Sequence, residues 1–191
     1  MQRTTTIQIK EHLGQRVRVQ GWLHARRRLG GVTFLVVRDG WGTVQAVSEV
    51  EAELAGLLAT GAGPETVLAV EGLVVAEAQA PGGVELRELV VEVITPVAEA
   101  LPLPLNKREI KASLPTLLDH AVVANRHPAR RAIFRLAAEA MAGFRATLGS
   151  RGFTEIQTPK IVASATESGS NVFQLDYFGR PAYLAQSPQF Y

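Results

Sequence analysis

Apolar and polar residues alternate along most of the first hundred positions of the chain. In RVRVQGWL, residues 16–23, an apolar side chain occupies almost every second position, which is the period of a strand buried on one face. Turn sequences containing glycine interrupt this pattern, and Asp39-Gly40 is a strong hairpin signal among them. The pattern predicts five strands, at residues 16–23, 32–39, 42–48, 66–78 and 83–95.

The period changes between the third and fourth predicted strands. Ser48 and Glu51 have the spacing of a capping box, leucines follow at three- and four-residue steps, and Gly61 ends the run, which predicts a short helix. Three strands, a short helix and two further strands are the element order of an OB-fold barrel. Barrels of this kind bind single-stranded nucleic acid on the face of their second and third strands.

The second half of the chain has a different character. Prolines interrupt residues 98–128, which we interpret as a connector. Residues 129–148 carry apolar side chains at three- and four-residue steps and predict a helix, and residues 153–158 predict a short strand. A polar Gly/Ser loop follows. We therefore divide the chain into residues 1–97, 98–128 and 129–191.

Positive charge is concentrated in one part of the sequence, although the net charge is only +2. Between His12 and Arg38 there is no Asp or Glu, whereas from Asp39 to Leu105 the only basic residue is Arg87. This distribution suggests a polyanionic partner, although a solvated arginine face explains the charge equally well. The arginines concerned are Arg16, Arg18, Arg26, Arg27, Arg28 and Arg38.

Composition excludes several kinds of site. The chain has no cysteine, so disulfides, thiolate metal sites and cysteine nucleophiles are excluded. No apolar run approaches the roughly 20 residues of a membrane-spanning helix, and the N-terminus lacks a signal-peptide pattern, so we expect a soluble protein of the cytoplasm. The histidines show no metal-ligand spacing; they are His12, His24, His120 and His127.

Five short motifs are distinctive in combination: GWLHARRRLGG, FLVVRD, TPKI, ATESGS and LAQSPQFY. Together they resemble the aspartyl-tRNA synthetases of the archaeal type, over the whole chain. QSPQ discriminates best, because the asparaginyl and lysyl relatives carry different residues there. The resemblance implies an OB-fold β barrel that binds an anticodon at residues 1–97 and a hinge at 98–128. It further implies the beginning of an α+β class II catalytic domain at 129–191.

The resemblance also implies a reaction of protein biosynthesis. An aspartate–tRNA ligase activates L-aspartate with ATP and Mg²⁺ and transfers it to tRNA(Asp), and relaxed-specificity enzymes also charge tRNA(Asn). In this family a lysine that grips the substrate carboxylate follows at position 192, and the ATP and Mg²⁺ ligands come later. We therefore expect a piece of a longer protein, inactive when reduced to these 191 residues. The resemblance implies a homodimer through residues 129–159.

Residues of the barrel are expected to read the anticodon. Alternation in FLVVR places Phe34 on one face with Arg38, which favours an exposed ring over a core position. By resemblance, Phe34 stacks the middle anticodon base, Gln45 reads the edge of that base, and Glu85 reads the third base. A carboxylate accepts well from the exocyclic amine of cytosine. Positions near the anticodon stem–loop are Arg26 and Arg27; Arg28 departs from the family pattern and its role is open.

Two further positions bear on the choice of tRNA. His24 follows GWL, and Pro81 lies at the tip of the last predicted hairpin. Relatives that charge only tRNA(Asp) tend to carry a larger aromatic residue and a lysine at these positions. His24 and Pro81 therefore resemble the relaxed-specificity enzymes, while a solvent-exposed histidine and an ordinary turn proline explain them as well. The two anticodons differ by C or U at the third base.

The end of the chain resembles part of an aspartate site. Glu167, in the Gly/Ser loop, matches the carboxylate that pairs with the α-ammonium group of the substrate. Ser187 and Gln189 are neutral hydrogen-bonding groups suited to orient an amino acid. Phe190 and Tyr191 complete the predicted site. The resemblance places no catalytic residue and no metal ligand within this chain.

Two other functions are left open by the sequence. One is a lysyl- or asparaginyl-type class II synthetase, which QSPQ disfavours. The other is an OB-fold module that binds RNA and performs no chemistry. The TESGS and QSPQ motifs favour an enzyme, because a simple RNA-binding module does not need them.

Overall fold

The computed structural model describes residues 3–164, 172–187 and 189. The chain divides into two compact units, Met1–Ala132 and Ile133–Tyr191. Each unit is described by itself.

The first unit contains a closed five-stranded barrel. Its strands follow a short β1, Arg3–Thr4, and are β2 Arg16–Leu29, β3 Val32–Arg38, β4 Thr43–Ser48, β5 Val67–Ala76 and β6 Val84–Thr95. The order is β1-β2-β3-β4-β6-β5, and β2 also pairs with β5, which closes the sheet on itself. The first half of β2 pairs with β5 and its second half with β3. The OB-fold predicted from the sequence is confirmed.

Alternation along these strands fills the barrel with aliphatic side chains. Leu23, Leu35, Leu68 and Leu86 are among the largest fully buried side chains. Each faces inward because neighbouring residues of a strand point to opposite faces of the sheet. The polar residues between them are thereby directed outward, which positions the candidate RNA-binding side chains.

The predicted capping box is wrong. Ser48 is the last residue of β4, and its hydroxyl donates to the Glu53 carboxylate and accepts from the Val50 amide rather than capping a helix. The helical segment is shorter than predicted: a 3-10 turn at Glu51–Leu54 continues into α1, Ala55–Ala59. Leu54 and Leu57 from these turns nevertheless join the core of the barrel, as their spacing predicts.

The connector packs against the barrel and is partly helical. It contains α2, Leu114–Asp119, and α3, Ala121–Ala124. The Ser113 hydroxyl caps α2 by accepting from the Thr116 amide. Apolar side chains of the connector are buried at Leu103, Leu105 and Ala124.

The predicted long helix is confirmed as α4, Pro128–Ser150, which starts within the first unit. In the second unit, β7 Ile161–Val162, β8 Gln174–Tyr177 and β9 Arg180–Leu184 form a sheet in the order β7-β9-β8. The β8–β9 hairpin turns at Phe178-Gly179, where both residues have positive φ, at 54° and 76°.

The strand predicted at residues 153–158 is wrong, because these residues have no strand structure. Among the described residues, no segment pairs with them. A strand needs a partner for its backbone N–H and C=O groups, and a short stretch of sequence does not show whether one is available.

Candidate nucleic-acid interface and amino-acid site

The outer face of the barrel carries a row of candidate RNA-binding side chains. Phe34 on β3 is half-buried and lies on the opposite face from the buried Leu35. One step along the same face, Val36 pairs with Gln45 on β4, and Gln45 pairs with Glu85 on β6. Paired residues of neighbouring strands point to the same side of the sheet. The three residues that the sequence singled out therefore share one surface.

Glu85 is held in place before any ligand binds. Its carboxylate is 1% exposed; Oε2 accepts from Gln45 Nε2 at 2.9 Å, and Oε1 accepts from Arg87 Nε. Both oxygens are therefore engaged. Each oxygen can still accept a second hydrogen bond, but because Glu85 is almost fully buried a cytosine amine can reach it only if neighbouring side chains move.

The exposed arginines fall on two faces of the long β2–β3 hairpin. Arg27 pairs directly with Phe34 and so shares its face, whereas Arg26 pairs with the buried Leu35 and points to the other side. Arg26 and Arg28 line a cavity of about 400 Å³ that also contains Glu49. Among the described residues, no acidic partner lies within ion-pairing distance of these three arginines.

The remaining arginines of the predicted positive face are neutralised. Arg16 pairs with Glu88, and Arg18 pairs with both Glu71 and Glu92. Those two glutamates raise the pKa of Arg18 through hydrogen bonds. The positive surface is therefore smaller than the sequence suggests.

The prediction that Arg38 shares an exposed face with Phe34 is wrong. Arg38 is only 4% exposed and donates to Glu65 Oε2 at 2.7 Å, and its guanidinium carbon lies 5.5 Å from the centre of the Trp22 ring. The strand pattern identifies the correct side of the sheet, but it does not reveal that Glu65 and the connector cover this end of β3. Sequence reasoning did not single out Glu65, Trp22 or Arg126, which form this cluster.

His24 lies beside this cluster and not on the outer face next to Phe34. It occupies a β-bulge in β2, where the pairing with β3 shifts between Leu23 and Ala25. Arg38 Nη1 lies 3.1 Å from His24 Nδ1, which must be the acceptor because a guanidinium can only donate. Burial, and then the positive charge of Arg38, lower the pKa of His24.

Acidification is expected to destabilise the barrel through His24. Because its pKa is lower in the folded than in the unfolded chain, the unfolded chain binds a proton more readily. The stabilisation is fully present above the unfolded value of about 6.5 and is lost as the pH falls below it. Urea-unfolding midpoints at about pH 7.5 and about pH 5.5 measure this loss, which should be smaller in His24→Gln. Equal losses in both proteins would show that another group is responsible.

Pro81 is exposed in the turn between β5 and β6. The amide of Leu23, next to His24, donates to the carbonyl oxygen of Thr66, just before the start of β5. His24 therefore lies near the start of β5, whereas Pro81 lies beyond its end. A ten-residue strand spans on the order of 30 Å. The structure therefore does not bring these two predicted specificity residues together.

Asp39 anchors the turn between β3 and β4. Burial would raise the pKa of its carboxyl, but hydrogen bonds from the Thr6 hydroxyl and from the amides of Thr6, Trp41 and Gly42 outweigh this and lower it. The carboxylate thereby ties the N-terminal segment to the turn at the end of β3.

The candidate amino-acid site is described only in part. Ser187 is half-buried, Gln189 is exposed, and the Gln189 amide donates to the Ser187 hydroxyl at 3.3 Å. These two side chains are thus close neighbours at the end of the described chain. Glu167, Phe190 and Tyr191 lie outside the described residues.

The described residues contain no group of three or more His, Asp or Glu side chains that could hold a metal ion. In the described ranges, no helix is long and apolar enough to cross a membrane.

Both halves of the chain match known families. Residues 17–97 match the OB-fold nucleic acid binding domain, and residues 113–191 match the class II tRNA synthetases for D, K and N. Residues 113–191 therefore belong to this class II tRNA synthetase family, and the chain combines an OB-fold barrel with the start of a class II catalytic domain.

Curated relatives narrow the comparison to one type of enzyme. An aspartate–tRNA(Asp/Asn) ligase from Deinococcus radiodurans is 46% identical over 191 residues, which are 100% of this chain and 42% of the relative. The ligase of the same name from Thermus thermophilus is 44% identical over 96% of this chain and 42% of its own. This chain thus spans well under half the length of the curated relatives it matches.

Solved structures agree on the architecture. The asparaginyl-tRNA synthetase from Pyrococcus horikoshii, complexed with asparaginyl-adenylate, matches with a TM-score of 0.84 and 34% identity. The match covers 99% of this chain and 44% of the other. The asparaginyl-tRNA synthetase of Entamoeba histolytica, with the same adenylate, matches with a TM-score of 0.71 and 27% identity over 91% of this chain and 40% of the other.

Proposed function

We propose that this chain is part of an aspartate–tRNA ligase and that its barrel binds the anticodon loop of the tRNA. The observation that carries the proposal is the shared outer surface of Phe34, Gln45 and Glu85 on a family-typical OB-fold. The names of the curated relatives support aspartate as the amino acid.

In this proposal different side chains of the barrel contact different parts of the anticodon loop. Phe34 offers a half-exposed ring on which the middle anticodon base stacks, a contact worth about 1–3 kcal/mol per base. Gln45 and Glu85, already hydrogen-bonded to each other, present an amide and a carboxylate to base edges. Arg27 on the same face supplies positive charge for a phosphate, and Arg26 does so from the opposite side of the hairpin.

The complete protein would join aspartate to the tRNA in two steps. ATP and Mg²⁺ would supply the activating chemistry through ligands outside the residues described here. Gln189 and Ser187 would orient the amino acid through neutral groups that do not repel its carboxylates. The carboxylate of Glu167 would pair with the α-ammonium group, and Phe190 and Tyr191 would complete the site. We infer that this takes place in the cytoplasm, where tRNA is charged.

A homodimer through residues 129–159 is part of the proposal. None of the side chains in the second-unit part of α4 is buried. Four large apolar side chains are each more than half exposed: Phe134, Leu136, Met141 and Phe144. Exposed apolar surface of this extent on a monomer commonly marks an interaction site. A groove at the end of α4 contains both Phe144 and Phe153.

Charging assays on the full-length protein test the proposed function. We expect ATP–pyrophosphate exchange that depends on aspartate and not on asparagine or lysine. We also expect aspartate to be attached to both tRNA(Asp) and tRNA(Asn), because His24 and Pro81 match the relaxed-specificity pattern. ATP–pyrophosphate exchange that depends on lysine or asparagine would show that this amino acid, and not aspartate, is the substrate. RNA binding without any exchange would favour a binding module, and strong preference for one tRNA would remove the relaxed-specificity hypothesis.

A further inference from the structure

A buried carboxylate joins the barrel to the connector. Glu65 precedes β5 and its side chain is 3% exposed. Its Oε2 accepts from Arg38 Nη2 at 2.7 Å and from Arg126 Nη1 at 3.3 Å. Arg38 belongs to β3 of the barrel, whereas Arg126 lies between α3 and α4, 61 residues from Glu65. A single oxygen atom thus accepts hydrogen bonds from two distant parts of the first unit.

Trp22 of β2 completes this arrangement. The guanidinium carbons of Arg38 and Arg126 lie 5.5 Å and 5.8 Å from the centre of its ring, within the range of cation–π attraction. Trp22, Arg38, Glu65 and Arg126 form the latch cluster. The carboxylate and the electron-rich face of the ring together allow two positive groups to lie close to each other.

The backbone at Glu65 has an unusual conformation. Its φ is +71°, in the left-handed region that glycine adopts without strain and that other residues rarely occupy. The Glu65 amide donates to Leu23 O at 2.7 Å, which holds the residue in this conformation. Strain persists where the surrounding structure enforces it, and here the side chain is needed to reach both arginines.

The residue after Arg126 fixes the start of α4. His127 is 4% exposed, its Nε2 donates to Lys107 O at 2.9 Å, and its Nδ1 accepts from the Ala129 amide at 3.3 Å. The Arg131 guanidinium donates to Gly40 O in the turn that follows β3. The first turn of α4 is therefore attached to both the connector and the barrel.

We propose that the latch cluster is a positioning device for tRNA charging: it restrains the connector and the first turn of α4 against the barrel. The inference rests on the proposed function. Glu65 and Arg38 are buried and cannot bind RNA directly. In this proposal they influence tRNA charging only by fixing the position of the connector. The latch makes binding of the anticodon loop productive for a reaction at the other end of the same tRNA.

Arg126→Gln in the full-length protein tests the proposal, because Arg126 is 40% exposed and its replacement should leave the barrel folded. We expect kcat/KM for tRNA(Asp) charging to fall roughly ten-fold or more, with the loss in kcat. The Kd for an isolated anticodon stem–loop and the rate of aspartate-dependent exchange should stay within about two-fold. Arg126→Lys, which keeps a charge for Glu65, should recover part of the lost charging.

Arg108→Gln is the matched control, because Arg108 is an exposed connector arginine for which the described residues provide no ion-pair partner. An equal loss of charging in this variant would attribute the effect to charge alone and overturn the proposal. Weakened binding of the stem–loop by Arg126→Gln would also overturn it, since the cluster would then belong to the RNA interface. Unchanged tRNA charging by Arg126→Gln would also overturn the proposal.

Hydrogen exchange separates failure of the latch from failure of the proposed function. In Arg126→Gln, backbone amides of residues 107–129 should exchange faster than in the parent protein, whether or not either protein charges tRNA. If the parent protein charges no tRNA, the proposed function fails, and the hydrogen-exchange data alone decide whether the latch cluster restrains the connector. Identical exchange in the two proteins would overturn the latch.

Discussion

Phe34→Ala in the full-length protein is expected to weaken tRNA binding by roughly 5- to 150-fold. This range corresponds to the loss of about 1–3 kcal/mol when a stacked base loses its aromatic partner. Phe34 lies on the outer face and is half-buried, so its ring contributes little to the core of the barrel. Fluorescence anisotropy with labelled tRNA(Asp) measures the Kd, and urea unfolding of the same samples should show a small change in stability.

Two variants control for effects other than stacking. Phe34→Tyr keeps the ring and should bind within about two-fold of the parent protein. Trp41→Ala removes an aromatic side chain that is 65% exposed, in the turn after β3, and should leave the Kd unchanged. If Trp41→Ala weakened binding as much as Phe34→Ala, the assignment of stacking to the outer face would be wrong.

Gly21→Ala is expected to destabilise the barrel by about 3 kcal/mol or more. A Cβ at Gly21 would lie 2.2 Å from the carbonyl oxygen of Arg38, closer than real contacts allow. The obstacle is backbone of the paired strand β3 and cannot be avoided by rotation of a side chain. Gly21 lies in the part of β2 where pairing changes from β5 to β3, so the strands cannot separate there without opening the barrel.

Gly63→Ala is the matched control for this substitution. A Cβ at Gly63 would meet no heavy atom within 4 Å, and the residue does not have a positive φ. Its free energy of unfolding should therefore change by less than about 1 kcal/mol. Urea unfolding of both variants measures the difference, and equal stability of Gly21→Ala and Gly63→Ala would contradict the described approach of β2 to β3.

The strands of the barrel were predictable because a two-residue period has one simple physical cause. A closed barrel has one apolar and one polar face, so inward residues such as Leu35 and outward residues such as Gln45 must alternate. The turns were predictable for a similar reason: Pro81-Gly82-Gly83 includes two residues with positive φ, a conformation that glycine adopts without strain.

The predictions that failed depended on partners distant in the sequence. Arg38 has the position of an outward-facing residue, but its environment is set by Glu65, 27 residues away, and by the connector. Ser48 and Glu51 have the spacing of a capping box, but Ser48 remains in β4 and contacts Glu53 instead. Such side-chain partners depend on how segments pack together, which local spacing does not specify.

The candidate site was partly predictable for the same reason. Strand register brings Gln45 and Glu85 side by side, but it does not show that Arg87 also engages the Glu85 carboxylate. That contact explains how a carboxylate that is 1% exposed remains satisfied in the absence of RNA.

Cross-linking between tRNA and the barrel tests the central claim most directly. A tRNA(Asp) with 4-thiouridine at the middle anticodon position should cross-link, after irradiation with the full-length protein, to the peptide that contains Phe34. The cross-link should disappear in Phe34→Ala. A cross-link to a peptide of the second unit, with no product on β3 or β4, would contradict the proposal that the outer face of the barrel binds the anticodon.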